Sequence, residues 1–281
     1  MGSNINMNKK VLNWFLNSGV SYDSDYQAWL TAAQTAGYTL PTDNVKLAQS
    51  DFVKSLKVYS SMYAKLVTLR FMHSGSAQMA TLNVINAATH VATISGTLGF
   101  SEGNGVKSSS SSYIRDTIVA NQWASIEKDL TVIQYISESN TTASTTLVSH
   151  GFRVTAATAN NFRLVPLFNA STAVKGSYNT ATVGFPSTDH KGLYIHTLSP
   201  TSAISYKDGS KDTDANTPVA PDIAQPRAIL AQNNNGGTGW SPTNFYTIYV
   251  AIDAVGHLFT DQDAADFRTA FLAYKTAVGL T

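Results

Sequence analysis

The chain has 281 residues, a formal net charge of +1 and 13% charged residues, about half the ~25% of an average soluble domain; Ser, Thr, Asn and Gly make up the difference. Scattered Lys and Arg with no basic run argue against nucleic acid or an anionic membrane as partner. The lack of cysteine excludes disulfides, thiolate metal sites and Cys nucleophiles, and no apolar run approaches the ~18 residues of a membrane-spanning helix.

The start, Met1-Gly2-Ser3-Asn4 followed by Lys9 and Lys10, lacks the longer apolar region of a signal peptide. Val11, Leu12, Phe15 and Leu16 share one face of a short amphipathic helix that ends near Gly19. A second helix is predicted with Ser24 as cap, a stripe of Tyr26, Trp29, Leu30, Ala33 and Ala36, and Gly37 as stop. Pro41 suits the first turn of a third, whose stripe of Val45, Ala48, Phe52, Leu56 and Tyr59 is expected to lie on a following sandwich. From residue 65 the period changes to two: Val67, Leu69 and Phe71 alternate across 65–72. Further strands are predicted at 130–136, 161–168, 192–198, 203–207, 227–232 and 245–252. Asp208-Gly209 is the best hairpin turn, since both residues tolerate positive φ. The stretches 101–112, 209–226 and 233–239 are rich in Gly, Ser, Asn or Pro and read as long loops. A C-terminal helix follows, with Thr260 as cap, Asp263 as the capping-box acid, and a stripe of Ala264, Phe267, Phe271, Tyr274 and Val278.

Short strands at regular spacing predict a mainly β chain, an antiparallel β-sandwich of jelly-roll type rather than a parallel sheet with crossover helices. The N-terminal helical segment would comprise residues 1–62 and the sandwich 63–281. From residue 65 onward, alternating side chains are expected to close two layers over a dry interior with no reactive pocket.

Two blocks resemble known families. Leu193-Tyr194-Ile195-His196-Thr197, Tyr206-Lys207-Asp208-Gly209-Ser210 and Ala228-Ile229-Leu230-Ala231 follow the order of a laminin-G-like, concanavalin-like domain. Tyr249 to Asp253 and Leu258 to Asp263 look like its last strand and closing helix start, with Asp263 where Glu is usual. The earlier block, Ser21 to Leu30 with Gly37-Tyr38-Thr39-Leu40-Pro41 and Met79 to Asn86, is similar to the helical leader of structural proteins from phages of Bacteroidetes-type hosts. The resemblance implies a virion subunit, a head decoration, head fibre or tail appendage, whose partners are other capsid or tail subunits and copies of itself. Residues 1–20, an amphipathic segment ahead of a compact domain, are expected either to anchor the subunit to the particle or to fold back on its own sandwich.

Enzyme chemistry finds little support. Concanavalin-like glucanases place Glu and Asp on alternate strand positions facing one cleft, whereas Glu102, Glu127 and Glu138 are the only glutamates; Glu127 has Asp129 at +2 but Val132 in place of Glu at +5, and the other two have neither. A polysaccharide depolymerase would need acids such as Asp189, Asp253 or Glu102 to converge. The six histidines form no H-x-x-x-H or H-E-x-x-H pair; Asp189, His190 and His196 are either metal ligands or residues that edge a strand, and the second is the expectation. No cofactor is expected. Asp208, Asp212, Asp214 and Asp222 are candidate calcium ligands or solvated turn residues. Gly103 to Ser108 departs from a phosphate loop at Val106, and Gly-x-Ser-x-Gly is absent. One alternative of another class remains, a lectin-like module for a host surface glycan. Trp240, with Asn233, Asn234, Asn244 and Tyr246, would then stack on and hydrogen-bond the sugar; otherwise Trp240 packs beneath its own loop. Trp14, Trp29 and Trp123 read as core.

Overall fold

The computed structural model describes residues 21–109, 111–119, 129–142, 147–153, 161–165, 173–178, 181–199, 201–214, 226–234 and 242–280. The first predicted helix, the anchor at 1–20, Trp14, Trp123, Glu127, Asp222 and Trp240 lie outside these residues.

The helical leader forms α1 (Ser24–Thr35), α2 (Asp43–Val58) and the single turn α3 (Ser60–Tyr63). The cap of α1 is Asp23 rather than Ser24, because the Asp23 carboxylate accepts the free Asp25 N–H at 2.9 Å. A carboxylate here also suits the positive end of the helix dipole. Lys57 Nζ, near the end of α2, lies 2.8 Å from both Asp23 and Asp25 and so joins the two helices. Pro41 precedes the Thr42 cap of α2 instead of entering its first turn.

The strands are β1 (Leu66–Phe71), β2 (Thr93–Ser95), β3 (Gly99–Ser101), β4 (Gly105–Lys107), β5 (Tyr113–Val119), β6 (Leu130–Ile136), β7 (His150–Arg153), β8 (Asn161–Val165), β9 (Ala173–Tyr178), β10 (Ala181–Pro186), β11 (Gly192–Leu198), β12 (Ala203–Lys207), β13 (Ser210–Asp214), β14 (Pro226–Ile229), β15 (Gln232–Asn234), β16 (Pro242–Thr243) and β17 (Val250–His257). They build an inner sheet in the order β13-β12-β11-β6-β17-β4-β3, with β1 also paired to β17, and an outer sheet in the order β10-β9-β8-β7-β14-β5-β2, with β15 joined to β7 and β16. Apart from the parallel β15–β7 contact, the pairs are antiparallel. The chain closes with α4 (Asp261–Val278), whose Thr260/Asp263 capping box is formed and whose end is set by Gly279 at φ 67.

The molecule is thus a mainly β antiparallel sandwich carrying a helical layer. Trp29, Phe52, Phe267, Phe271 and Tyr274 of the helices share one core with Phe71, Ile133, Tyr135, Leu193, Ile195 and Ile252 of the inner sheet. The predicted segment at 1–62, where described, and the sandwich therefore share a core. This layer explains why β11 and nearly all of β17 are buried along their whole length: one face meets the helices and the other meets the outer sheet. Strict alternation survives where a strand has a solvent side, as in Ile114, Arg115, Asp116 and Thr117 of β5.

Several expectations are corrected in detail. The loop expected at 101–112 contains the β3–β4 hairpin, turned through Gly103 at φ 82. The strand expected at 227–232 is broken into β14 and β15 by Leu230 at φ 66, whose N–H donates to Ser149 and whose carbonyl accepts from Tyr246. The last strand starts at Val250 rather than 245. The interior between the sheets is apolar only in part. Met72, Val106, Ile136, Tyr194 and Val250 meet Ile114, Leu164 and Ile229, but beside them lies a buried quartet of charges. Arg227 binds Asp253 at 2.5 Å and Asp116 at 2.9 Å, and Arg70 binds Asp116 at 2.9 Å, all with side chains at most 2% exposed.

Candidate functional site

The buried quartet is a bolt between sheets. Arg70 and Asp253 are cross-strand partners on β1 and β17, with Gln134 next in the same row on β6, while Asp116 and Arg227 project from β5 and β14. Gln134 Nε2 adds a 2.9 Å bond to Asp253. Burial alone would lower the Arg227 pKa; Asp253 and Asp116 outweigh it and hold the guanidinium charged. Two carboxylates so neutralised and so enclosed meet no substrate. The acids that a depolymerase would bring together stand apart. Asp253 is in this interior, Glu102 is exposed in the β3–β4 turn, and Asp189 caps a surface loop through the N–H groups of Asn140 and Lys191.

The predicted sugar rim fares unevenly. Tyr246 is completely buried, its hydroxyl 3.0 Å from His190 Nδ1, so its ring offers no face to a ligand. Since His190 Nε2 faces the Thr142 carbonyl at 2.9 Å, that nitrogen carries the proton and Nδ1 accepts from Tyr246. Asn244 adopts φ 55 and donates its amide to Gln232 Oε1 at 3.0 Å. Asn233 and Asn234 belong to β15, pairing with Phe152 and Arg153 of β7. Tyr246 is thus corrected from rim to core, for burial behind β11 supplies both its apolar neighbours and its hydrogen bond.

The described calcium candidates, Asp208, Asp212 and Asp214, do not form a metal cage. Asp208 is a turn residue: its Oδ1 and its N–H both bond the backbone of Leu193, each at 2.9 Å. Asp212 and Asp214 lie two apart on the edge strand β13. Among the described residues, no three His, Asp, Glu or Cys side chains are arranged to hold a metal ion.

A cleft stands elsewhere, between α4 and the strands β11, β12 and β13. Its volume is about 320 Å³, near the lower end for small-molecule sites. Leu193, Ile195, Ala264 and Ala265 give it apolar walls, and Tyr206, Lys211, Asp261, Arg268 and Thr269 give it polar ones. Register creates the polar cluster. Ile195 pairs with Tyr206, which pairs in turn with Lys211, so the phenol and the ammonium reach the first residue of α4 together. Tyr206 donates to Asp261 Oδ1 at 2.5 Å, and Lys211 Nζ lies 2.9 and 2.7 Å from the two carboxylate oxygens. Those bonds from Lys211 and then Tyr206 hold the Asp261 pKa below the usual range, and the same carboxylate, after burial itself, raises that of Tyr206. Arg268, two turns along α4, lies against the hairpin turn. A methyl group on Gly209 would sit 2.9 Å from its Nε and 3.1 Å from its Cζ. Gly209 also has φ 95 and Asp208 φ 51, as the two-residue turn predicted from Asp-Gly requires. Arg268 makes no ion pair or hydrogen bond with the described residues.

Sequence reasoning singled out Tyr206, Asp208 and Gly209 as a hairpin and missed Lys211, Asp261, Arg268 and Thr269 as a site. The spacing of Asp261, Arg268 and Thr269 at i, i+7 and i+8 was a readable signal for polar residues on one face of a helix. That this face would border β13 was not.

No family model matches the chain, and no curated protein matches it by sequence. Solved structures do resemble it. A mutant Trypanosoma rangeli sialidase displaying trans-sialidase activity is 15% identical over 83% of this chain and 39% of that one, with a TM-score of 0.51; this chain therefore spans about two fifths of the sialidase. Domain 4 of AbnA, an extracellular arabinanase of Geobacillus stearothermophilus in complex with arabinotriose, is 15% identical over 73% of this chain and 98% of that one, with a TM-score of 0.44. A botulinum neurotoxin type C structure, described for its interaction with two ganglioside molecules, is 8% identical over 75% and 53%, with a TM-score of 0.49. At these identities the likeness to the sialidase is one of fold.

Proposed function

We propose that this protein is a non-catalytic carbohydrate-binding module, with the cleft between α4 and the β11–β13 strands as its sugar site. The observation that carries this reading is the composition of that cleft. An apolar floor of Leu193, Ile195 and Ala264 suits the C–H face of a pyranose, and the Tyr206, Lys211, Asp261 and Thr269 side chains stand where ring hydroxyls need partners. Absence of catalysis is supported by the settings of Asp253, Glu102 and Asp189, which share no cleft. The phage-particle context is supported by the leader sequence alone; on a particle, sugar binding would serve attachment to a host surface, and gold labelling of purified particles tests that placement.

The site is tested by glycan-array and calorimetric binding of the full chain and two variants. Ala265→Trp fills the cleft from the exposed face of α4 and is expected to abolish binding, while Trp240→Ala leaves it intact. The opposite result would move the site to the rim after β15. No binding of any glycan by the unaltered protein would end the reading.

A further inference from the structure

We propose that Arg268 makes this cleft selective for saccharides that carry a carboxylate, such as uronic acids; the inference rests on the reading of the cleft as a sugar site. Three observations lead to it. First, the polar wall holds two cations, Lys211 and Arg268, against one carboxylate, Asp261. Second, these three are not equivalent. Lys211 lies within 2.9 Å of both oxygens of Asp261, and Tyr206 adds a third bond at 2.5 Å. The Asp261 charge is therefore spoken for, and the Lys211–Asp261 pair presents little net charge. Third, Arg268 is half-buried at the cleft wall, makes no ion pair with the described residues, and lays its guanidinium against the hairpin backbone in space that the missing side chain of Gly209 leaves open.

A guanidinium set in a cleft wall with no partner among the described residues is a receptor for a planar anion. Its fork of N–H donors matches the two oxygens of a carboxylate, and bonds of this charge-assisted type are stronger than neutral ones. Asp208, beside Gly209 in the hairpin turn, already accepts from the Leu193 N–H at 2.9 Å. A hexuronic acid would lay its apolar ring face on Leu193, Ile195 and Ala264, direct its hydroxyls to Asp261 and Thr269, and place its carboxylate on Arg268. Gly209 is the positioning residue, since any side chain there would displace the guanidinium.

The test compares oligogalacturonate with its neutral methyl ester at constant ionic strength, using the full chain and calorimetry or saturation-transfer NMR. The unaltered protein is expected to bind the acid about tenfold or more tightly than the ester, as a charge-assisted pair implies. Arg268→Gln is expected to bring that ratio to about one. Arg268→Lys, which keeps the charge but loses the fork, should give an intermediate ratio and serves if the Gln variant proves unstable. A ratio near one in the unaltered protein, or a preference for the acid that survives Arg268→Gln, overturns the inference while the sugar site stands. Failure of both probes and of all array glycans to bind removes the sugar site and this inference with it.

Discussion

At the scale of single residues, buried histidines make the fold sensitive to acid. His73 is 2% exposed; its Nδ1 donates to the Ala251 carbonyl at 3.2 Å and its Nε2 accepts from Tyr274 at 2.7 Å. Protonating Nε2 would turn an acceptor into a second donor facing a hydroxyl inside an apolar layer. Burial accordingly pushes the His73 pKa down to about 4, against the opposing effect of the Ala251 carbonyl. Burial pushes His196 down to about 3, and His150 lies well below its ordinary value through burial, then Arg227 and His196. The unfolded chain, with ordinary histidines near 6.5, binds more protons than the folded one between these limits. Stability is therefore complete above about pH 6.5 and falls as the pH drops toward 4 and 3. Going from neutrality to about pH 5, the expected loss is about 2 kcal/mol for each of His73 and His196, measurable by urea unfolding at the two pH values. Equal midpoints would show that these rings are not held neutral in the folded state.

At the scale of elements, sequence signals worked where the signal was local. The α4 cap lies within four consecutive residues: Thr260 Oγ1 accepts from Asp263 N–H at 3.1 Å, and the Asp263 carboxylate accepts from Thr260 N–H at 2.8 Å. Lys65 Nζ reinforces the arrangement at 2.6 Å from the same carboxylate. Thr260→Ala is expected to cost about 1 kcal/mol, read as a lower thermal midpoint; no change would mean that packing alone sets the start of α4. The same local logic gave β6, β11 and β12 with their bounds, because short runs of aliphatic, aromatic and β-branched residues between turn residues need no distant partner. It failed at 227–232, where the bend at Leu230 answers to Ser149 and Tyr246, and at Ser24, where the neighbouring Asp23 cap is tied to Lys57 on another helix.

At the scale of the whole molecule, the helical layer and the sandwich are one cooperative body. Phe52 of α2 lies 4.8 Å from Tyr274 of α4 and 6.1 Å from Phe71 of β1, measured between ring centroids. Phe52→Ala is expected to cost about 3–5 kcal/mol, with helical and sheet signals still lost in a single transition when unfolding is followed by far-UV circular dichroism and tryptophan fluorescence. Loss of the helical signal at lower denaturant than the rest would separate the layer from the sandwich. The charge quartet has the same reach in the other direction, since Arg227 and Asp253 connect elements of different sheets.

The amino-acid sequence by itself determined the mainly antiparallel character, most element positions, the Asp208-Gly209 turn and the docked C-terminal helix, because each follows from spacing, capping or turn chemistry within a few residues. Only the tertiary structure decided that the inner sheet is buried on both faces, that Arg70, Asp116, Arg227 and Asp253 neutralise one another, that Tyr246 is core, and that Arg268 lies beside Gly209 with no ion pair among the described residues. Each of these depends on which distant segments share a layer. Burial, charge pairing and the shape of a cleft are properties of such long-range neighbours, and a periodicity along the chain carries no record of them.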